Sequence, residues 1–152
     1  RGVRDHPLRG VRWGGRAQVS DVVKHGVVRL VADGGDDRGA GIRDGALLAT
    51  GKVGAEVSAE DAAQLAQTCA LNAIAAVDDL VGIDNVARVL KIVGFVASDP
   101  AFDGQPGVIN GASDLLGKAF GDKGAHARSA VGVAVLPKNV PVEVEIVVAV
   151  ED

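Results

Sequence analysis

The sequence predicts an α+β domain in which two helices pack on one face of a mixed β-sheet. Two stretches, 58–81 and 105–120, carry apolar residues at helical spacing, and three others, 86–97, 129–136 and 142–150, are rich in β-branched residues. The order along the chain is therefore helix, strand, helix, strand, strand. Packing both helices on the same sheet face is the economical way to bury their apolar stripes.

The first helix has a clear start and a clear end in the sequence. Ser58 stands before Glu60 and Asp61, so we expect its hydroxyl to cap the helix and the acidic side chains to favour the positive end of the helix dipole. Gly82 fits just after the last turn. The residues predicted for the buried stripe are Leu65, Cys69, Asn72, Ala73, Ala76, Val77 and Leu80.

Breaks in the pattern delimit the other elements. Residues 98–100 (Ser-Asp-Pro) end the first strand, residues 121–124 form a loop, and residues 137–139 form a turn between the last two strands. The strands are apolar on both sides, and a small domain has no third helix to cover the second face of the sheet. Self-association is the simplest way to cover that face.

Composition narrows the classes of function. The chain has 152 residues, which predicts one domain, and 47% of them are apolar, which argues against general disorder. The formal net charge of −4 argues against a nucleic-acid binder. A single cysteine, no signal peptide and no apolar run of membrane-spanning length predict a cytoplasmic protein with no membrane partner.

Residues 1–44 differ from the rest of the chain, and we place a boundary between them and a folded domain at 45–152. Eight of the ten arginines lie in residues 1–43, and the segment has little helical or alternating period. One interpretation is a basic, Gly-rich flexible arm. Another is a pair of irregular strands, because Val22-Val23 and Val27-Val28 have strand-forming composition.

A third interpretation, out-of-frame translation, fits the composition of this segment better. A GC-rich gene that is translated in the wrong frame gives a sequence rich in Arg, Gly, Val and Asp. If the codons of residues 24–41 are read one nucleotide out of frame, codon degeneracy permits the sequence Ser-Tyr-Val-x-x-Arg-Thr-Gly followed by Thr-x-Gly-x-Gln. Stop codons in the shifted frame of the gene would exclude this hypothesis.

Two charged residues are candidates for chemistry. Arg128 lies where a loop enters an apolar strand, and an arginine there could bind a carboxylate through two parallel hydrogen bonds. Spacing alone favours an ordinary surface arginine at a strand end. Glu143 alternates with apolar residues in the last strand; a partly buried glutamate has a raised pKa and can act as a general acid or base. The alternative is the solvated face of an edge strand.

The other candidates are weaker. Asn110 begins an Asn-Gly pair inside an apolar helical pattern, which indicates either close packing or a polar ligand contact. His126 could be a loop histidine with no role. Cys69 is expected to be a core thiol and not a nucleophile. The spacing of histidine and cysteine matches no metal site, and residues 51–54 lack the spacing of a phosphate-binding loop, so we expect neither metal nor cofactor.

From about Gly45 to Val150, the chain resembles the RidA/YjgF family. The segments that carry the resemblance are Thr50-Gly-Lys-Val-Gly54, Gly94-Phe-Val96, Val108-Ile-Asn-Gly-Ala112, Ala127-Arg-Ser-Ala130, Leu136-Pro-Lys138 and Val142-Glu-Val-Glu-Ile146. The long first helix and the His-Ala-Arg-Ser-Ala-Val-Gly-Val form of residues 126–133 suggest a divergent bacterial branch.

The resemblance implies a fold, an assembly and an activity. The fold is chorismate-mutase-like, in homotrimers whose sheets close into a barrel with sites in the clefts between subunits. The activity is that of a 2-iminobutanoate/2-iminopropanoate deaminase, which hydrolyses reactive 2-enamino or 2-imino acids to 2-keto acids and ammonia without metal or cofactor. Alternatives are a non-catalytic trimer that binds small ligands or acts as a chaperone, and an RNA-directed ribonuclease or translation inhibitor. The acidic balance and the lack of aromatic stacking platforms count against the RNA-directed role.

The resemblance also assigns roles to four residues. Arg128 matches the arginine that holds the substrate carboxylate, and Glu143 matches the glutamate that positions or activates water. Asn110 matches an asparagine of the pocket. Ala130 stands in place of a frequent cysteine whose backbone carbonyl contributes to the site. The family's opening strands, with a pocket tyrosine and a Ser-Gly-Gln loop, have no equivalent in the sequence of residues 1–44.

Overall fold

The computed structural model describes residues 21–23, 27–30, 42–43 and 46–151. The strands are β1 (Asp21–Val23), β2 (Val27–Leu30), β3 (Ile42–Arg43), β4 (Ala46–Leu47), β5 (Val86–Ala97), β6 (Ala127–Val133) and β7 (Val142–Val150), and the helices are α1 (Ala59–Val81) and α2 (Gln105–Phe120). From α1 onward the predicted order of helix, strand, helix, strand, strand is confirmed.

The described strands form a five-stranded mixed sheet in the order β1-β2-β7-β5-β6, with β3 and β4 paired separately. Strands β5 and β6 are parallel, and α2 connects them. Strand β7 lies between β5 and β2 and is antiparallel to both. Both helices pack on one face of this sheet, which we call the helix face; its residues include Ile92, Val144 and Ile146. The predicted α+β class is therefore confirmed.

The two short strands considered for the N-terminal segment are present in the sheet. Strand β2 pairs with β7 so that Val28 lies opposite Val148, and Val28 is only 2% exposed, within the same core as the helices. The sheet thus takes strands from both sides of the boundary that we placed after residue 44. Most of that segment, including the Gly- and Asp-rich residues 31–41, lies outside the described residues, and the out-of-frame hypothesis remains a prediction about the gene.

Helix α1 begins and ends as its sequence predicts. The Ser58 hydroxyl oxygen accepts a hydrogen bond from the Asp61 backbone N–H at 3.0 Å, and Gly82 follows the last turn with φ +78°. The predicted stripe is buried, with Leu80 only partly so. This stripe packs α1 against β7 and α2, which fixes the helix layer on the sheet.

Strand β6 begins and ends earlier than predicted. The sequence indicated residues 129–136, whereas the strand covers Ala127–Val133. Its pairing with β5 ends at Val133 opposite Ala97, because β5 itself ends there. The register of the neighbouring strand, and not the local composition of β6, decides where β6 stops.

Close backbone approaches at two glycines position α2. A Cβ at Gly111 would collide with the Ala63 carbonyl of α1, and a Cβ at Gly94 of β5 would collide with the Ile109 side chain of α2. These two glycines allow α2 to pack closely against both α1 and the sheet. The Asn-Gly pair noted in the sequence is thus explained in part by close packing at its glycine.

The face of the sheet opposite the helices, which we call the second face, carries Glu143 and Glu145 of β7. Strand alternation turns Val142, Val144 and Ile146 toward the helices and the two glutamates away from them. Glu143 is 9% exposed, so the alternative of a solvated face is wrong for it, and Glu145 is buried as well, at 8% exposed.

No helix among the described residues combines the length and the apolar character needed to cross a bilayer.

Candidate functional site

Arg128 lies on the helix face at the start of β6. It pairs with Ile92 of β5, which in turn lies opposite Ile146 of β7, and both isoleucines belong to the core under the helices. Residues directly opposite each other in neighbouring strands point to the same side of a sheet. The exposed Arg128 side chain therefore extends from the edge of the sheet toward α2.

Two residues of α2 hold the guanidinium of Arg128. Nη1 donates to Asn110 Oδ1 at 2.7 Å and to Ser113 Oγ at 3.3 Å. The two acceptors are three residues apart on the helix, so they lie on the same side of it. Together they occupy both hydrogens of Nη1.

The rest of the guanidinium stays open to a ligand. Among the residues that the structure describes, Nε and Nη2 of Arg128 make no hydrogen bond or ion pair. These two nitrogens form one planar edge of the guanidinium, whose geometry matches the two oxygens of a carboxylate. The arrangement is suited to binding a small carboxylic acid.

Arg128 borders a cleft of about 460 Å³ between α2 and the start of β6. Ser113 and His126 also line this cleft, together with the Gly-rich turn that follows α2. The remaining lining residues are Gly117, Gly121, Asp122, Gly124 and Ala125. Its volume lies within the range of pockets that bind small molecules.

His126 belongs to the same hydrogen-bond network. Its Nε2 lies 3.1 Å from Ser113 Oγ, and its Nδ1 lies 2.5 Å from the Gly124 carbonyl oxygen. In the sequence, Ser113 gives no site signal and His126 is interpreted as a loop histidine with no role. The signals that point to them are positional: Ser113 lies one turn after Asn110, and His126 lies two residues before Arg128.

Ala130 lies two residues after Arg128 on the same side of β6, opposite Gly94 of β5. Its half-buried methyl group packs against the core. Among the described strands β6 is an edge of the sheet. Ala130 is not among the described residues that line the Arg128 cleft, and the role of its carbonyl remains a prediction.

Glu143 lies on the other side of the sheet from Arg128. It is opposite Phe95 of β5, and Phe95 is opposite Val131 of β6, so these three residues point to the second face. Within a single chain the structure brings Arg128, Asn110 and Ala130 to one side, and Glu143 to the other.

Cys69 is a core thiol, as predicted. It is fully buried on α1, and its Sγ donates to the Val142 carbonyl oxygen at 3.6 Å. Burial, and secondarily the negative charge of Glu143, raises the pKa of the Cys69 thiol far above its usual range. The thiolate needed for nucleophilic chemistry is therefore not populated at neutral pH.

A larger cleft of about 770 Å³ lies beside α1, away from Arg128. Glu56 and Asp61 line it, and none of the lining residues that the structure describes is basic. The Glu56 carboxylate accepts a hydrogen bond from the Lys52 backbone N–H at 2.7 Å, which lowers the pKa of Glu56. This negatively charged cleft does not suit an anionic ligand.

Within the described part of the chain, no three His, Cys, Asp or Glu side chains lie close enough together to hold a metal ion.

Comparison with known proteins gives a consistent set of matches. The model of the family described as Endoribonuclease L-PSP matches residues 40–150. Over 101 residues the chain is 44% identical to Protein TCP17 of Trypanosoma cruzi, a match that covers 65% of this chain and 63% of that protein. The matched region thus spans less than two thirds of the length of this relative.

Solved structures extend the match to the fold. The protein Atu1372 of Agrobacterium tumefaciens is 35% identical, with a TM-score of 0.79, over 86% of this chain and 79% of that chain. The YjgF gene product of E. coli is 21% identical, with a TM-score of 0.56, over 90% of this chain and 93% of that chain. At that lower identity the likeness concerns the fold alone.

Proposed function

This chain belongs to the endoribonuclease L-PSP family, also called the RidA/YjgF family, and from this we propose that it hydrolyses reactive 2-enamino and 2-imino acids. The products are a 2-keto acid and ammonia, and we propose a cytoplasmic homotrimer as the active form. The observation that carries the proposal is the Arg128 guanidinium, fixed by α2 on one side and, among the described residues, open to a carboxylate on the other.

The reaction needs orientation more than a strong nucleophile. An enamino acid tautomerises to the imino acid, whose C2 is already electrophilic. Water adds to C2, one proton of the water moves to nitrogen, and the resulting carbinolamine loses ammonia to leave the keto group. Binding the carboxylate at the Nε–Nη2 edge of Arg128 holds C2 at a fixed place in the cleft, which lowers the entropic cost of this addition.

Proton transfer in this scheme falls to Glu143 of a second copy of the chain. A carboxylate can accept the proton of the attacking water and return it to the departing nitrogen. Because Glu143 lies on the second face and Arg128 on the helix side of the edge strand, we propose that each site combines Arg128 of one subunit with Glu143 of its neighbour. The Ala130 carbonyl is proposed to contribute to the same pocket.

The role of Asn110 is refined in this proposal. The family resemblance gives a pocket asparagine, and its Oδ1 accepts from Arg128 at 2.7 Å. Asn110 therefore acts on the substrate through Arg128, by fixing the orientation of the guanidinium.

A binding protein without turnover is the second candidate. It is favoured by the separation of Arg128 and Glu143 onto opposite faces within one chain, because carboxylate binding at Arg128 needs no proton transfer. Such a protein would bind 2-keto acids and release them unchanged.

The test is ammonia and pyruvate release from freshly generated 2-iminopropanoate. We expect Arg128→Ala to lower kcat/KM by about 10- to 100-fold, since hydrogen bonds to a charged group contribute about 1.5–3 kcal/mol. The matched control is Arg88→Ala, which removes an exposed arginine of β5 and should leave turnover unchanged. Full activity in Arg128→Ala would contradict the proposed carboxylate role. Pyruvate binding without turnover in the natural protein would favour the binding protein.

A further inference from the structure

A chain of three hydrogen bonds runs from the Gly124 carbonyl through His126 and Ser113 to Arg128. It joins the turn after α2, the residue before β6, the middle of α2 and the start of β6. Nothing in the family resemblance assigns a role to Ser113 or His126. Both residues are half-buried and both line the Arg128 cleft.

The directions of these hydrogen bonds follow from the chemistry of the groups. A carbonyl oxygen only accepts, so His126 Nδ1 must carry the proton that it donates to Gly124. In the neutral imidazole the other nitrogen, Nε2, is then a bare acceptor. The Ser113 hydroxyl donates its one proton to this Nε2, at a distance of 3.1 Å.

The orientation of Ser113 in turn sets that of Arg128. With its proton given to His126, the Ser113 oxygen keeps its lone pairs for Nη1 of Arg128 at 3.3 Å. Asn110 Oδ1 takes the other Nη1 hydrogen at 2.7 Å. Two acceptors on one nitrogen restrict rotation of the planar guanidinium, which a single acceptor would leave free to swing.

We propose that Ser113 and His126 are positioning residues that hold the guanidinium of Arg128 with its Nε–Nη2 edge toward the carboxylate of the ligand. His126 acts through Ser113, and Ser113 acts through Arg128. The proposal rests on the proposed function for the identity of that ligand, a 2-imino or 2-keto acid. Its own content is that carboxylate affinity depends on a hydrogen-bond acceptor at the Nε2 position of His126.

The test combines binding and kinetics in four variants. Ser113→Ala removes the acceptor for Nη1, and His126→Leu removes the acceptor for the Ser113 proton. His126→Gln places a side-chain carbonyl near the former Nε2 and should restore that acceptor. Thr68→Val is the control, because it removes a hydroxyl of α1 that donates to the Gln64 carbonyl of its own helix and lies away from the Arg128 cleft. Pyruvate binding is measured by calorimetry. The kinetic constants kcat and KM are measured with 2-iminopropanoate as substrate, and stability is measured by urea unfolding.

We expect Ser113→Ala and His126→Leu to weaken pyruvate binding by about 3- to 10-fold, the effect of one orienting hydrogen bond. KM should rise by more than kcat falls. His126→Gln should bind within about twofold of the natural protein, given that the acceptor is restored, and Thr68→Val should be unchanged. A merely structural role would lower stability in urea without this difference between Leu and Gln.

Other outcomes separate this proposal from the proposed function. Unchanged pyruvate affinity in Ser113→Ala overturns the positioning role, even if His126→Leu fails to fold. A failure of His126→Gln to restore binding also overturns it. The natural protein could bind pyruvate, and the variants could lose affinity as expected, while neither the natural protein nor any variant releases ammonia. In that case the deaminase assignment fails and the positioning role stands.

Discussion

At the scale of single residues, Nη1 of Arg128 shows why an arginine is needed at this position. The planar fork of the guanidinium lets Asn110 and Ser113 bind one nitrogen while a separate edge stays open. A lysine has one ammonium nitrogen and no second edge. If the α2 acceptors held that nitrogen, the ligand would compete with them for the same donors.

Cys69 gives a prediction about pH at the same scale. Burial raises the pKa of its thiol, so the folded protein keeps the proton after the unfolded chain, with an ordinary pKa near 8.5, has lost it. The folded state then binds more protons, and stability must fall as pH rises above about 8.5. We expect the free energy of unfolding in urea to decrease by up to about 1.4 kcal/mol per pH unit from this residue.

The matched variant for this prediction is Cys69→Ala. It removes the thiol, so its stability should decline less between pH 8 and 10 than that of the natural protein. The native thiol should also resist alkylation at pH 8 and react after unfolding. Rapid alkylation of the folded protein would show that Cys69 is not buried as described.

The sequence identified some site residues and missed others for a physical reason. Arg128 stands out because a basic side chain at the entry to an apolar strand is conspicuous, and Asn110 because glycine follows it inside a helix. Ser113 and His126 are ordinary residue types in ordinary positions, and only the three-dimensional distances join them. The side of the sheet that Glu143 occupies depends on the register of β7, which composition does not determine.

At the scale of elements, α2 packs through three of its sides at once. Gly111 approaches α1, Ile109 fills the space above Gly94 of β5, and Asn110 with Ser113 faces Arg128 of β6. Consecutive residues 109–111 thus serve three different neighbours. A shift of α2 along its axis would disturb packing and the Arg128 contacts together.

Gly111 is the element-scale prediction. We expect Gly111→Ala to destabilise the fold by about 1–3 kcal/mol, since the new Cβ collides with the Ala63 carbonyl and forces the helices apart. The control is Gly117→Ala in the same helix, where a Cβ meets nothing within 4 Å. That change should stabilise by about 0.5–1 kcal/mol through helix propensity. Urea unfolding measures both, and equal effects would contradict the close approach of α1 and α2.

Local signals predicted the helices better than the sheet. Ser58 and Gly82 mark the ends of α1 through interactions within a few residues. Strand β6 was predicted too far along the chain because its last pair, Val133 with Ala97, depends on a strand 36 residues earlier in the sequence. Strand pairing joins distant residues, so its limits are poorly encoded in the local sequence.

At the scale of the whole molecule, the second face of the sheet bears on the proposed homotrimer. Val131 of β6 points to this face and is 42% exposed, beside Phe95 and Glu143. Val131 lies on the edge strand, and Phe95 of β5 separates it from Glu143 of the interior strand β7. An exposed apolar side chain on such an edge fits a surface that a neighbouring copy covers. This supports the proposed homotrimer, in which the neighbour's Arg128 would complete the site of Glu143.

Mixing two inactive variants tests the assembly. We expect Arg128→Ala and Glu143→Gln each to lose most turnover when pure. If each site takes one residue from each of two subunits, random mixing in equal amounts restores about a quarter of the sites, since half of the subunits supply each intact residue. The activity of refolded mixtures measures this fraction. A single-chain site would give no recovery, and mixing the Arg128→Ala protein with itself is the control.

The contact between Asn110 and Arg128 joins residues only 18 positions apart, inside one unit of strand, helix and parallel strand. Short chain loops close early in folding, because little entropy is lost in bringing their ends together. Arg128 should therefore reach its final geometry before β2 joins the sheet at β7. During evolution, the segment before residue 45 could therefore be replaced, which would change the side chains that a ligand contacts. The contact between Asn110 and Arg128 would be retained, and with it the proposed carboxylate site.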